Sequence, residues 1–133
     1  MNNDKIKVLL VEDEHMLAEI LADTLSDHNF EIKTADNGVV ALGLWRKFRP
    51  DVIVTDIMMP QMDGIELIKA LRGNEETNHI PIIVVSARTE NNDRLAGLDA
   101  GAEVYLGKPF IPDELLMMVR KLIEQRESGS TAF

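Results

Sequence analysis

Val52, Ile53 and Val54 form an apolar run too short for a helix of ordinary length, and the run ends at Thr55-Asp56. A strand buried on both faces reads in this way, and such strands occupy the middle of parallel sheets. In an open parallel sheet covered by helices on both faces, chemistry gathers in the crevice beyond the carboxyl ends of the strands. The run therefore delivers the Asp56 carboxylate to that crevice. Pro60 and Asp63-Gly64 punctuate the following loop, and helical spacing resumes at Ile65, Leu67, Ile68 and Leu71, with Asp63 as the expected N-cap.

The same pattern, a short apolar run closed by a polar residue and followed by helical spacing, recurs along the chain. Lys7 to Val11 ends in Glu12-Asp13-Glu14, and helical spacing from Asp13 places Leu17, Leu21, Thr24 and Leu25 on one side. Glu31 to Ala35 is a weaker run whose charged members suggest an edge strand; Asp36-Asn37-Gly38 turns it into a helix through Ala41, Leu42, Leu44, Trp45 and Phe48, stopped by Pro50. Pro81 to Ser86 and Glu103 to Leu106 supply two further strands, separated by helical spacing at Leu95 and Leu98 that ends near Gly101. Pro112 suits a helix first turn, with Leu115, Leu116, Val119, Leu122 and Ile123 as the inner stripe and Met117 nearly opposite.

Five strands alternating with five helices through short loops predict a doubly wound α/β sandwich with a parallel sheet and right-handed crossovers. In the flavodoxin-like strand order 2-1-3-4-5, the first and third strands are neighbours, so Glu12, Asp13 and Asp56 converge at the switch point. Ser86 and Lys108 flank them from the fourth and fifth strands.

At 133 residues with 45% hydrophobic content the chain matches one domain with a single core. We expect that domain over residues 1–126, with 127–133 as a flexible tail or the start of a linker. No cysteine is present, which excludes disulfides and thiolate metal sites. No apolar run approaches about 18 residues, and the first residues lack the form of a signal peptide, so a soluble, cytoplasmic protein without membrane contact is expected. A formal charge of -9 works against direct nucleic-acid binding by this domain.

Three carboxylates in one crevice repel one another, and the usual remedies are a raised pKa or a bound cation. With oxygen ligands alone and neither His nor Cys at hand, the crevice suits a hard ion; Mg²⁺ accepts one or two carboxylates and leaves room for a phosphate oxygen. Lys108 supplies a point charge for an anion and Ser86 a hydroxyl. Cation, anion partner and nucleophilic carboxylate together describe phosphoryl transfer to Asp56. Singly, these residues have blander readings: the acidic triplet as helix N-terminal charge, Lys108 as a surface lysine, Ser86 as a strand-end hydroxyl bonding backbone, Tyr105 as a half-buried strand aromatic. Their placement at successive strand ends argues for the joint reading.

The chain resembles the receiver domain of a two-component response regulator, of the chemotaxis-regulator type, over roughly Lys5 to Glu124. The resemblance rests on VEDE at the first strand end, TDIMMPQMDG around Asp56, VSAR at Ser86 and GAEVYLGKPF before the last helix. It implies that Asp56 accepts phosphate from a histidine kinase or phosphotransfer protein. It also implies Mg²⁺ on Asp13, Asp56 and the Met58 backbone carbonyl, with Glu12 holding a metal-bound water. Ser86, the Ala87 backbone and Lys108 would hold phosphoryl oxygens, and Tyr105 would change rotamer as Ser86 is drawn inward. The resemblance further implies a cis Lys108-Pro109 bond, a surface on the fourth helix, fifth strand and fifth helix that changes to control an output domain or downstream protein, and a monomer or weak phosphorylation-linked dimer.

Two positions depart from the family pattern. Glu12 stands where many members have aspartate, which lengthens the reach to the metal water. Val104 stands where an acidic residue often precedes the tyrosine, and in the DNA-binding subfamily that acid belongs to a charged dimer face. Two other classes fit less well. A haloacid-dehalogenase-type phosphatase wants a second aspartate at Met58, and a flavodoxin needs a hydroxyl-rich phosphate loop where this chain has EDEH. A degenerate receiver serving only as an interaction module is disfavoured because every chemical position is filled.

Overall fold

Each apolar run forms a strand, and each stretch of helical spacing forms a helix. The computed structural model describes residues 5–57, 59, 61–87 and 91–129. Its strands are β1 (Ile6–Val11), β2 (Phe30–Ala35), β3 (Val52–Asp56), β4 (Ile82–Ser86) and β5 (Val104–Gly107). Its helices are α1 (His15–Asp27), α2 (Gly38–Phe48), α3 (Gly64–Arg72), α4 (Asn91–Ala100) and α5 (Pro112–Gly129). All strand pairs are parallel, and the sheet order is β2-β1-β3-β4-β5. The expected flavodoxin-like sandwich is the observed one, with β2 at an edge.

Strand alternation sorts the core into two layers. Val8, Leu10, Val52, Val54, Ile83 and Val85 meet α1 and α5 on one face. Leu9, Val11, Ile53, Ile82 and Val84 meet Trp45 and Phe48 of α2 and Leu67, Ile68 and Leu71 of α3 on the other. Residues of β3 are buried on both faces, which is why that strand reads as a continuous apolar run. Removing each such side chain from water contributes about 1.5–3 kcal/mol.

Helix entries are fixed by side chains. Asn37 accepts a hydrogen bond from Val40 N at 2.9 Å at the start of α2. Asp63, the expected N-cap, forms a capping box with Glu66, the reciprocal bonds being 2.9 and 3.0 Å, a device that contributes about 1 kcal/mol. The α2 exit uses Arg49 in the left-handed region (φ 54) before Pro50.

Several element ends differ from expectation by one or two residues: β1 and β2 each begin one residue earlier, at Ile6 and Phe30, and α1 begins at His15. β4 starts at Ile82 because Pro81 has no N–H to give the ladder. β5 is shifted by one residue, to Val104–Gly107, while Glu103 turns its carboxylate to Ile82 N at 2.7 Å. α5 is described from Pro112 to Gly129.

Arg72 was not marked by any sequence signal, yet it ties three segments together. Its guanidinium donates to the carbonyls of Gly101 (2.8 and 3.0 Å), Asn78 (3.1 Å) and Ile80 (2.7 Å), and to the Glu103 carboxylate (2.9 Å). These bonds fix the end of α3 against the turn after α4 and the start of β4.

Candidate functional site

β1 and β3 are neighbours with Val11 opposite Thr55, so the residues that follow them, Glu12-Asp13 and Asp56, share one end of the sheet. The Glu12 backbone N–H donates to Ala35 O at 2.9 Å, which holds the residue after β1 in line with β2 and turns its side chain inward. Glu12 is 1% exposed and Asp56 6%, whereas Asp13 is exposed. Each offers an oxygen within 4.8 Å of the others, the one such acidic group among the described residues.

Lys108 crosses from the end of β5 to both buried acids. Its Nζ lies 2.8 Å from Asp56 Oδ2 and 3.0 Å from Glu12 Oε1. The Lys108 N–H donates to Ser86 O at 2.7 Å, which docks the lysine's backbone on the end of β4, and the Lys108-Pro109 peptide is cis. Buried charges persist when paired, and this triad of two carboxylates and one ammonium satisfies that rule only in part.

Titration follows from that imbalance. Burial pushes the Glu12 carboxyl above its ordinary value; the Asp56 charge adds to this, while the bonds from Lys108 and from Glu14 N oppose it. Burial on its own would lower the Lys108 ammonium, but hydrogen bonds to Asp56 and Glu12 and both carboxylate charges outweigh it, and its pKa is raised.

The β3–α3 loop returns tightly to the acid. Gly64 N donates to Ile57 O at 2.9 Å, and Thr55 Oγ1 donates to Asp56 O at 2.9 Å. A Cβ on Gly64 would collide with the Asp56 carbonyl oxygen and lie 2.8 Å from Ile57 Cα, so only glycine fits at the start of α3.

The remaining sequence-derived positions are placed as follows. Ser86 is fully buried at the end of β4, one residue beyond the Asp56–Val85 pairing, and Ala87 is exposed just after it. Tyr105 is half-buried on β5, paired with Val84 and packed on the α2/α3 side of the sheet. Met58, expected to offer its carbonyl, lies outside the described residues. A cleft of about 380 Å³ next to the triad is lined by Leu17, Ala87, Lys108, Pro109 and Phe110.

The donor set at the three acids is carboxylate oxygen, with no imidazole or thiolate among its members. That composition fits a small hard dication and not a soft metal. One mobile cation beside a fixed ammonium would balance the two buried carboxylates and the exposed one.

Residues 8–120 match the family model described as the response regulator receiver domain. The chain belongs to that family. The response regulator MprA of Mycobacterium tuberculosis is 39% identical over 127 residues, covering 96% of this chain and 54% of the relative. Its namesake in Mycobacterium leprae is also 39% identical over 127 residues, with 96% and 55% covered. The receiver therefore spans about half the length of these relatives. Among solved structures, a response regulator from Chloroflexus aurantiacus superposes with a TM-score of 0.86 at 33% identity, covering 91% of this chain and 99% of that one. The Vibrio cholerae chemotaxis protein CheY4 superposes at 0.84 with 35% identity, covering 89% and 98%. This receiver is a signalling domain of the two-component type, and among its described residues no helix is long and apolar enough to cross a membrane.

Proposed function

We propose that this receiver accepts a phosphoryl group on Asp56 from a phosphohistidine of a histidine kinase or phosphotransfer protein. The observation that carries the reading is the Lys108 ammonium bonded at once to Asp56 and Glu12 beside the exposed Asp13. An Asp56 oxygen attacks phosphorus, the P–N bond breaks, and the imidazole nitrogen keeps the bonding pair. Lys108 holds Asp56 in line and neutralises charge on the arriving phosphoryl oxygens, with the Ser86 hydroxyl and the Ala87 N–H as further donors. Mg²⁺ would be held by Asp13, Asp56 and the Met58 carbonyl, with Glu12 on one of its waters, and when bound supplies charge neutralisation between acids and phosphate. Transfer of a phosphoryl label from a small acyl phosphate, lost in Asp56→Asn, tests this.

The aspartyl phosphate adds charge and acceptor oxygens at the end of β3. Attraction of Ser86 toward it frees space that Tyr105 takes up, and the surface of α4, β5 and α5 shifts population to control an output domain or downstream protein. Faster or slower hydrogen exchange in those three elements on adding beryllium fluoride with Mg²⁺ is expected; identical exchange would defeat this part. Charge of -9 argues against nucleic-acid contact by the receiver itself. A cytoplasmic location suits a kinase partner.

A further inference from the structure

Gly97 lies buried in the interior of α4, where glycine is disfavoured because it gains helical order at the greatest entropic cost. What the position offers in return is space. A Cβ there would lie 3.3 Å from Tyr105 Cδ2, 3.5 Å from Cε2 and 3.8 Å from Val84 Cγ2. The first distance is tighter than ordinary carbon contact, so the aromatic ring rests directly on the backbone of α4. Gly43, in the interior of α2, has no atom within 4 Å of such a Cβ, so a helix-interior glycine in this chain need not mark a close approach.

We propose that Gly97 is a positioning residue for the Tyr105 ring, and that its missing side chain sets how readily the ring leaves α4. The inference rests on the proposed Tyr105 switch. The ring position described belongs to an unmodified Asp56 carboxylate paired with Lys108. A methyl group at residue 97 penalises that position, and the ring position coupled to phosphorylation gains population in proportion. Helix propensity alone would act on α4 whether or not the ring is present.

Tyr105 is the sole tyrosine of the sequence, so a ring-labelled tyrosine reports it without assignment. The full chain, wild type and Gly97→Ala, is titrated with beryllium fluoride and Mg²⁺ and followed by NMR of the labelled ring. A wild-type ring signal that stays still would sink the switch itself. Given that it moves, Gly97→Ala is expected to start displaced toward the saturated position and to reach its midpoint at about threefold lower probe concentration. Calorimetric titration of Tyr105→Ala and of Gly97→Ala/Tyr105→Ala is expected to give the same midpoint for both. A Gly97→Ala ring signal at the wild-type position, an unchanged or higher midpoint, or a midpoint shift that survives loss of the ring would each overturn the role of Gly97.

Discussion

Lys108 Nζ sits 2.8 Å from Asp56 Oδ2, spanning β4 to join the ends of β5 and β3. Replacing it by alanine leaves Glu12 and Asp56 buried without a cation, a loss of about 3 kcal/mol. Urea unfolding at pH 7 measures it, and Mg²⁺ should restore more stability to Lys108→Ala than to wild type, because binding to the folded state alone stabilises it. The pH sign follows from the raised ammonium pKa. The pairing contributes in full below the ordinary value of 10.5 and is lost as pH rises through the higher folded value.

Glu12 carries the opposite balance. Its carboxyl is raised above 4.5, chiefly by burial, so the folded state binds that proton more tightly than the unfolded chain. Its favourable contribution is complete below 4.5 and disappears as pH climbs through the folded value, leaving a destabilising charge at neutrality. Glu12→Gln should therefore be more stable than wild type at pH 7 by about 1 kcal/mol. The gain should vanish in acid unfolding curves near pH 4. Equal stability at both pH values would contradict the origin given for the shift.

Gly64 is constrained by contact with the backbone of the acid and not by a positive φ. A side chain there cannot be relieved by a rotamer change, since the obstacle is the Asp56 carbonyl and Ile57 Cα. Gly64→Ala should cost about 3 kcal/mol, at the upper end of overpacking effects. Gly43→Ala, which meets nothing, should be neutral or stabilising, and thermal melts of the pair give the comparison.

β1, β3 and β4 were legible because burial demands unbroken apolar runs, and with the weaker β2 and β5 placed between helices few topologies remain. Strand order alone brings Glu12, Asp13 and Asp56 together, and it needs no side-chain geometry. Lys108 was read as a charge awaiting an anion; its simultaneous bonds to Glu12 and Asp56 depend on the path of the β5–α5 loop, which periodicity does not describe. Arg72 and Gly97 left no trace for a similar reason. Arg72 acts through carbonyls 6 to 29 residues away, and Gly97 acts by lacking atoms where Tyr105 passes.

Association of receivers offers a separate check. Val104 puts no charge at the start of β5, and α4 and α5 each present an exposed apolar residue, Leu98 and Met117, the latter 68% exposed. A phosphorylation-linked dimer on these elements should rest on packing and depend weakly on ionic strength. Sedimentation of the beryllium fluoride form at low and high salt is expected to give similar dissociation constants. A tight dimer that falls apart as salt rises would mean that a charged face operates despite Val104.

The acceptor itself is tested by intact mass after incubation with acetyl phosphate. With Mg²⁺ present, wild type should gain a single phosphoryl increment that hydroxylamine removes, because an acyl phosphate yields to that nucleophile. Without Mg²⁺, or in Asp56→Asn, the increment should be absent, since the Lys108 ammonium alone leaves the three carboxylates in excess against the donor's charge and the amide is no acceptor. An increment of the same size in Asp56→Asn would place the phosphoryl group on another residue and contradict the reading of Asp56.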